Sequence, residues 1–161
     1  MEPKFSLDKI SYNVIKKLDS LKMTLGTVES CTGGLVSQYI TKHPGSSKVF
    51  INGYITYSNT SKINLLNIDK KVLDKYGAVS KQVVLQMVKN LLIITKVDVG
   101  IAVSGIAGPS GGSKNKPVGL VHHAISIKGK IFHQKIIFDG NRSDIRIKAA
   151  RKCFELILEN I

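Results

Sequence analysis

The chain has 161 residues and a hydrophobic fraction of 43%, enough for one core and too short for several domains. No apolar run approaches the roughly 20 residues that cross a bilayer, so a membrane-spanning helix is not expected. The formal net charge of +13 raises a polyanion partner, but 21 of the 24 basic residues are Lys, scattered through every segment, and only three are Arg; this favours solvated surface charge over a nucleic-acid groove.

The N-terminal stretch MEPKFSLDKI has no signal-peptide core, so a cytoplasmic location is expected. Residues 7–22 read as a helix, with Leu7, Ile10, Val14, Ile15 and Leu18 on one side. A short strand follows over 24–28. Gly33 or Gly34 opens a second helix that runs to about Lys42 and ends at the HPGS turn, 43–46. The β-branched and aromatic run KVFINGYITY, 48–57, predicts a strand, and a short helix follows from Asn59 to Leu66. Ser80 is a good N-cap for a helix over 81–95, where Val83, Val84, Met87, Val88, Leu91 and Leu92 keep helical spacing. VDVGIAVS, 97–104, reads as a buried strand and is followed by a turn-rich segment, 105–117. Two strands, about 118–128 and 131–138, are joined at Lys128-Gly129-Lys130. The last helix runs from about Arg142 to Glu159, with Ile145, Ala149, Cys153 and Leu156 on one face. This order predicts an α/β sandwich with a mixed sheet, in a single domain over 1–161, and leaves strand order open.

The chemistry concentrates at ESCTGG, 29–34. A strand that ends where a helix begins leaves backbone N–H groups unpaired, and those groups with the helix dipole favour an oxyanion or a phosphate. Thr32 could cap the helix, but position 35 is Leu, so no capping box fills the donors from within. Gly33 and Gly34 allow close approach to the backbone. Ser30, Cys31 and Thr32 are the possible nucleophiles; the structural alternative makes the two hydroxyls caps and Cys31 a core residue. The spacing fits neither a Walker A loop nor GxSxG. Cys31 and Cys153 form no CxxC pair, so neither a metal site nor a disulfide is expected.

A serine nucleophile needs a base. His43 sits in a turn, and His122, His123 and His133 lie on expected strands away from the loop ends, so no Ser-His-Asp arrangement suggests itself. A lysine made neutral by burial is the other choice. In YSNTSK, 57–62, Tyr57 ends a strand, Ser58 or Asn59 can cap, and Lys62 falls in the first turns of the next helix, so Tyr57 and Lys62 can face one spot at a strand's carboxyl edge. The loop SGIAGPSGG, 104–112, carries Gly105, Gly108, Gly111 and Gly112 and can wrap an anion with backbone amides, with Lys114 and Lys116 adding charge. Arg142 opens the last helix and could grip a phosphate or carboxylate, or else pair with Glu29.

Taken together, ESCTGG, PGSSKVFINGYITYSNTSK, GAVS, SGIAGPSGGSKNKPVG and FDGNR resemble the C-terminal domain of the CinA competence/damage-inducible proteins, over about residues 7–158. No counterpart of the molybdopterin-binding-like domain of full CinA proteins is present in this sequence, which makes it similar to the stand-alone nicotinamide-nucleotide amidase form. The resemblance implies a layered α/β/α fold, no metal or organic cofactor, a pyridine nucleotide as small-molecule substrate, and homo-oligomers. The implied reaction is hydrolysis of nicotinamide mononucleotide to nicotinate mononucleotide and ammonia. Its serine, lysine and tyrosine fall on Ser30, Lys62 and Tyr57; Thr32, Gly33, Gly105, Gly108, Gly111 and Arg142 are the expected substrate-binding set. Where the family usually reads GDR, this chain has Gly140-Asn141-Arg142; Asn141 can still cap the helix but brings no charge. A nucleic-acid-binding module and a nucleotide-binding homologue without activity are the alternative readings.

Overall fold

The computed structural model describes residues 6–161. Its strands are β1 (Leu25–Glu29), β2 (Phe50–Ile55), β3 (Val99–Gly105), β4 (Leu120–Ile127) and β5 (Lys130–Ile137). They form one mixed sheet in the order β2-β1-β3-β4-β5. The β1–β2 and β1–β3 pairs are parallel; β3–β4 and β4–β5 are antiparallel. Helices α1 (Leu7–Ser20), α2 (Leu35–Thr41) and α6 (Arg142–Asn160) cover one face, and α3 (Asn59–Leu66), α4 (Lys70–Tyr76) and α5 (Lys81–Thr95) cover the other. The expected α/β/α layering is therefore observed.

Each face has its own core. Val14 and Leu18 of α1, Val36 and Ile40 of α2, and Cys153, Phe154 and Ile157 of α6 meet Leu25, Ile101 and Ile125 on one side of the sheet. Leu66 of α3, Leu73 of α4 and Val84, Met87, Val88 and Leu91 of α5 meet Val28, Ala102 and Ala124 on the other. A strand packed on both faces carries no alternation, which is why LGTVE is buried at all five positions.

The helix α4 was not among the expected elements. It has seven residues and one buried side chain, Leu73, so periodicity cannot mark it. Its start signal is Asp69, whose carboxylate accepts the Lys71 amide at 2.8 Å. The helix expected over 81–95 is observed with its Ser80 cap, as is the one from Asn59 to Leu66.

The chain leaves β1 toward β2 through α2 on one face and returns past β1 to β3 through α3–α5 on the other. The order thus reverses at the carboxyl ends of β1 and β3, where open α/β sheets leave a crevice for a ligand. Ser30 is the first residue past β1, and its amide donates to Val103 O across that crevice at 3.0 Å.

Candidate active site

Glu29 ends β1 with its side chain turned under α2. One carboxylate oxygen accepts from Thr32 Oγ1 at 2.7 Å and from the Gly34 and Val36 amides at 2.9 and 3.1 Å. The other accepts from the amide and hydroxyl of Ser37, at 2.8 and 2.7 Å. The expectation of an open helix N-terminus is corrected here: the carboxylate that fills it comes from the strand before, not from the third helical position. Thr32 Oγ1 is a donor to Glu29, not a cap, and Gly34, with φ +96°, is the N-cap residue. The Gly33 amide is also taken, by Ser30 O at 3.0 Å. Among the described residues, the amides left without an acceptor in this turn are those of Cys31 and Thr32.

Lys62 reaches the same turn from the opposite face. Ser58 caps α3 by accepting the Ser61 amide at 3.0 Å, which fixes the start of the helix. Lys62 and Leu66, one turn apart, then both point inward, and both are 0% exposed. The Lys62 Nζ lies 3.0 Å from Ser30 Oγ and 2.6 Å from Thr56 O. No carboxylate pairs with it among the described residues. Burial without a counter-charge lowers its pKa from 10.5 to about 8. In the neutral form, one N–H still serves Thr56 O while the lone pair faces the Ser30 hydroxyl.

The other nucleophiles and bases are placed elsewhere. Cys31 is 6% exposed within the core, and burial pushes its thiol up to about 12. His43 Nε2 meets Ser11 Oγ at 2.8 Å, His122 Nδ1 meets His133 Nε2 at 3.0 Å, and His123 Nε2 meets Ala149 O at 3.1 Å. None of these histidines bonds Ser30.

Among the described residues no hydrogen bond joins Tyr57 to Lys62. The Tyr57 side chain stands at the rim, 59% exposed, where its hydroxyl accepts from Arg142 at 2.9 Å. Arg142 also donates to Gly108 O at 2.7 Å, so the start of α6, the end of β2 and the glycine loop meet in one cluster. Arg142 does not pair with Glu29, whose oxygens are already occupied by α2. Asn141 caps α6 by accepting the Ser143 and Asp144 amides, while Asp144 accepts the Asn141 amide, a full capping box. Gly105 needs no ligand to account for its missing side chain, because a Cβ there would stand 2.8 Å from Leu120 O on β4. Gly108, at φ +77°, and Gly111, at φ +87°, adopt backbone conformations that suit glycine. Lys116 is drawn from the loop to Tyr76 O.

Sequence reasoning missed Arg146. Its guanidinium donates to Cys31 O at 3.2 Å and to Thr32 O at 2.7 Å, strapping the serine turn to α6. The available signal was spacing: Arg142 and Arg146 are four apart, hence on one helical face, in a chain with only three arginines. Among the described residues no group of three or more His, Cys, Asp or Glu could hold a metal, and no helix is long and apolar enough to cross a membrane.

A mixed α/β sheet with a buried lysine against a serine at the strand-order reversal defines the class of fold and site. Comparison with known proteins supplies the family. Residues 7–161 match the family model described as the CinA C-terminal domain. A competence-damage inducible protein of Clostridium botulinum (strain Langeland) is 41% identical over 156 residues, covering 97% of this chain and 37% of the relative. One of Clostridioides difficile (strain 630) is 46% identical over 138 residues, covering 86% and 33%. The chain thus spans about a third of the length of these curated relatives. The crystal structure of competence/damage inducible protein CihA from Agrobacterium tumefaciens superposes with a TM-score of 0.92 at 37% identity, covering 95% of this chain and 94% of that one. The competence damage-inducible protein A of Klebsiella pneumoniae gives a TM-score of 0.94 at 29% identity, covering 97% of each. The chain belongs to the CinA C-terminal domain family.

Proposed function

We propose that this chain is an amidohydrolase that converts nicotinamide mononucleotide to nicotinate mononucleotide and ammonia, with Ser30 as nucleophile and Lys62 as base. The observation that carries the reading is the Lys62 amine, fully buried, without a counter-charge and 3.0 Å from Ser30 Oγ. Such an amine loses its proton at about pH 8 and can then accept another. The family resemblance supplies the substrate.

In the proposed sequence, Ser30 Oγ bonds to the carboxamide carbon as its proton passes to Lys62 Nζ. The tetrahedral oxyanion lies against the Cys31 and Thr32 amides, which have no other acceptor. The C–N bond then breaks as Lys62 returns the proton to the departing ammonia. Water adds to the acyl-serine while Lys62 takes its proton, and that proton returns to Ser30 Oγ as the ester C–O bond breaks. Arg146 holds the carbonyls of the same turn, and so the direction of its amides. Tyr57 and Arg142, at the rim, are assigned to holding the ribose phosphate together with the Gly108–Gly111 segment, a different place for Tyr57 from a proton relay beside Lys62. The cellular role that follows is pyridine nucleotide recycling by a cytoplasmic enzyme.

Ammonia release from nicotinamide mononucleotide tests the reading. Wild type and Cys31→Ala are expected to release it, and Ser30→Ala and Lys62→Met are not. Wild-type turnover in either of the last two overturns the assignment; inactivity confined to Cys31→Ala transfers it to the thiol.

A further inference from the structure

A cavity lies on the α5 face of the sheet, beyond the serine turn. It has a volume of about 250 Å³ and is bordered by Tyr76, Ser80, Lys81, Lys116, His122 and Lys135, with no acidic side chain on its walls. Ser30 bonds Val103 of β3 on one side, and His122 of β4 pairs with Ser104 of β3 on the other. Two strand spacings, about 10 Å, therefore separate the Ser30 and His122 backbones. Between them Ser104 Oγ donates to Ala78 O at 2.9 Å, which draws the 77–79 segment down over β3 as a partition.

We propose that this cavity is a binding site for a phosphoryl anion, separate from the Ser30 centre. Its three ammonium groups have no carboxylate partner among the described residues. Lys116 spends one N–H on Tyr76 O, which holds it over the cavity and leaves two for a ligand. At the floor, His122 is only 7% exposed. Its Nδ1 is tied to His133 Nε2 at 3.0 Å, while its Nε2 has no partner among the described residues. With His133 donating along that tie, Nε2–H of His122 points away from His133 as a donor. Burial, with His133, Lys135 and Lys116 nearby, lowers its pKa to about 4, so the ring is neutral and in that tautomer offers its single N–H without adding charge. The fifteen-residue helix α5 starts on the same wall. Ser80 caps its Val83 amide, and the Lys81 and Gln82 amides are left without acceptors among the described residues. Several cationic donors, two amides and one imidazole around so small a volume fit a compact group with several anionic oxygens.

The test is calorimetric titration of the full chain with orthophosphate, pyrophosphate and a nucleoside diphosphate. Saturable binding of one equivalent is expected for at least one of them, and the tightest of the three identifies the source of the phosphoryl group. Lys81→Gln/Lys135→Gln should weaken that binding about tenfold or more, the equivalent of one lost charge-assisted hydrogen bond, while Ser30→Ala leaves it unchanged. In the wild-type protein, nitrogen NMR should show the His122 Nε2 resonance moving along the same titration, a readout independent of any folding defect in the variant. No saturable binding of any of the three, binding untouched by the double lysine variant, or binding that leaves His122 unmoved overturns the proposal. Binding lost in Arg142→Gln but kept in the lysine variant also overturns it, and places the anion at the serine site.

Discussion

Glu29 and Lys62 are two buried charged side chains at the carboxyl edge of β1, one on each face of the sheet, and both are 0% exposed. They differ in what answers their charge. The Glu29 carboxylate accepts five hydrogen bonds, three from backbone amides at the start of α2 and two from hydroxyls. The Lys62 amine meets one carbonyl and one hydroxyl, and neither carries a charge. Equal burial thus gives one group locked into the frame and another poised to give up its proton. Charge satisfaction, more than depth, separates a structural ion from a reactive one.

The sharpest way to break this contrast is to remove the reactive partner. Ser30→Ala and Lys62→Met are each expected to lower kcat by about 10⁴-fold or more, with the double variant no worse than either single one, because the two act as a unit. Steady-state ammonia release with a double-mutant cycle measures this; additive losses would show that Lys62 does not act through Ser30. On the other face, Glu29→Gln keeps the shape but turns an NH2 toward amide donors. We expect a stability loss of about 3 kcal/mol by urea unfolding, with Lys62 chemistry surviving in the folded fraction. A stability change near zero would mean that the charge of Glu29 contributes nothing to holding α2.

That same contrast marks how far the sequence could be read. Local rules made Ser30 and Lys62 legible only as candidates, a hydroxyl past a strand end before glycines and a lysine one turn inside a capped helix; the choice of Ser30 over Cys31 and Thr32, and of Lys62 among 21 lysines, came from the family resemblance. Glu29 was misjudged because the expectation looked for the capping carboxylate at the third helical position, whereas it reaches α2 from the preceding strand, a tertiary placement that sequence spacing hides. Arg146 escaped for a related reason, since its partners Cys31 and Thr32 are more than a hundred residues away in the chain. The strand order also follows from crossovers rather than local pattern. Residues 81–95, by contrast, carried both a cap and periodicity, and residues 59–66 a cap, and both were found at those bounds.

Titration sharpens the comparison further. Lys62 must be neutral to act, so kcat/KM should rise with pH, tenfold per unit below about 8, and level above it. A flat profile from pH 6 to 9 would remove the base role. Stability should follow the same group. With the folded value near 8 and the ordinary one at 10.5, the folded protein binds fewer protons than the unfolded chain between those limits. Its stability relative to Lys62→Met therefore rises with pH across that window, by at most about 3 kcal/mol, and shows no such trend below pH 8. Parallel unfolding curves for the two proteins from pH 8 to 10 would contradict the depressed value.

The smallest effects belong to the rim, where exposure limits what any one contact contributes. Arg142→Gln is expected to raise KM about tenfold with kcat nearly kept, since a phosphate grip acts on ground state and transition state alike. Tyr57→Phe removes only the acceptor for Arg142 and should change KM by a factor of about five or less. The two assignments of Tyr57 separate on kcat. A tyrosine that passes protons beside Lys62 would cost kcat by about 10²-fold or more when its hydroxyl is removed. A tyrosine that only steadies Arg142 leaves kcat alone, and its effect should vanish in an Arg142→Gln background, because the hydroxyl would then have no guanidinium left to orient.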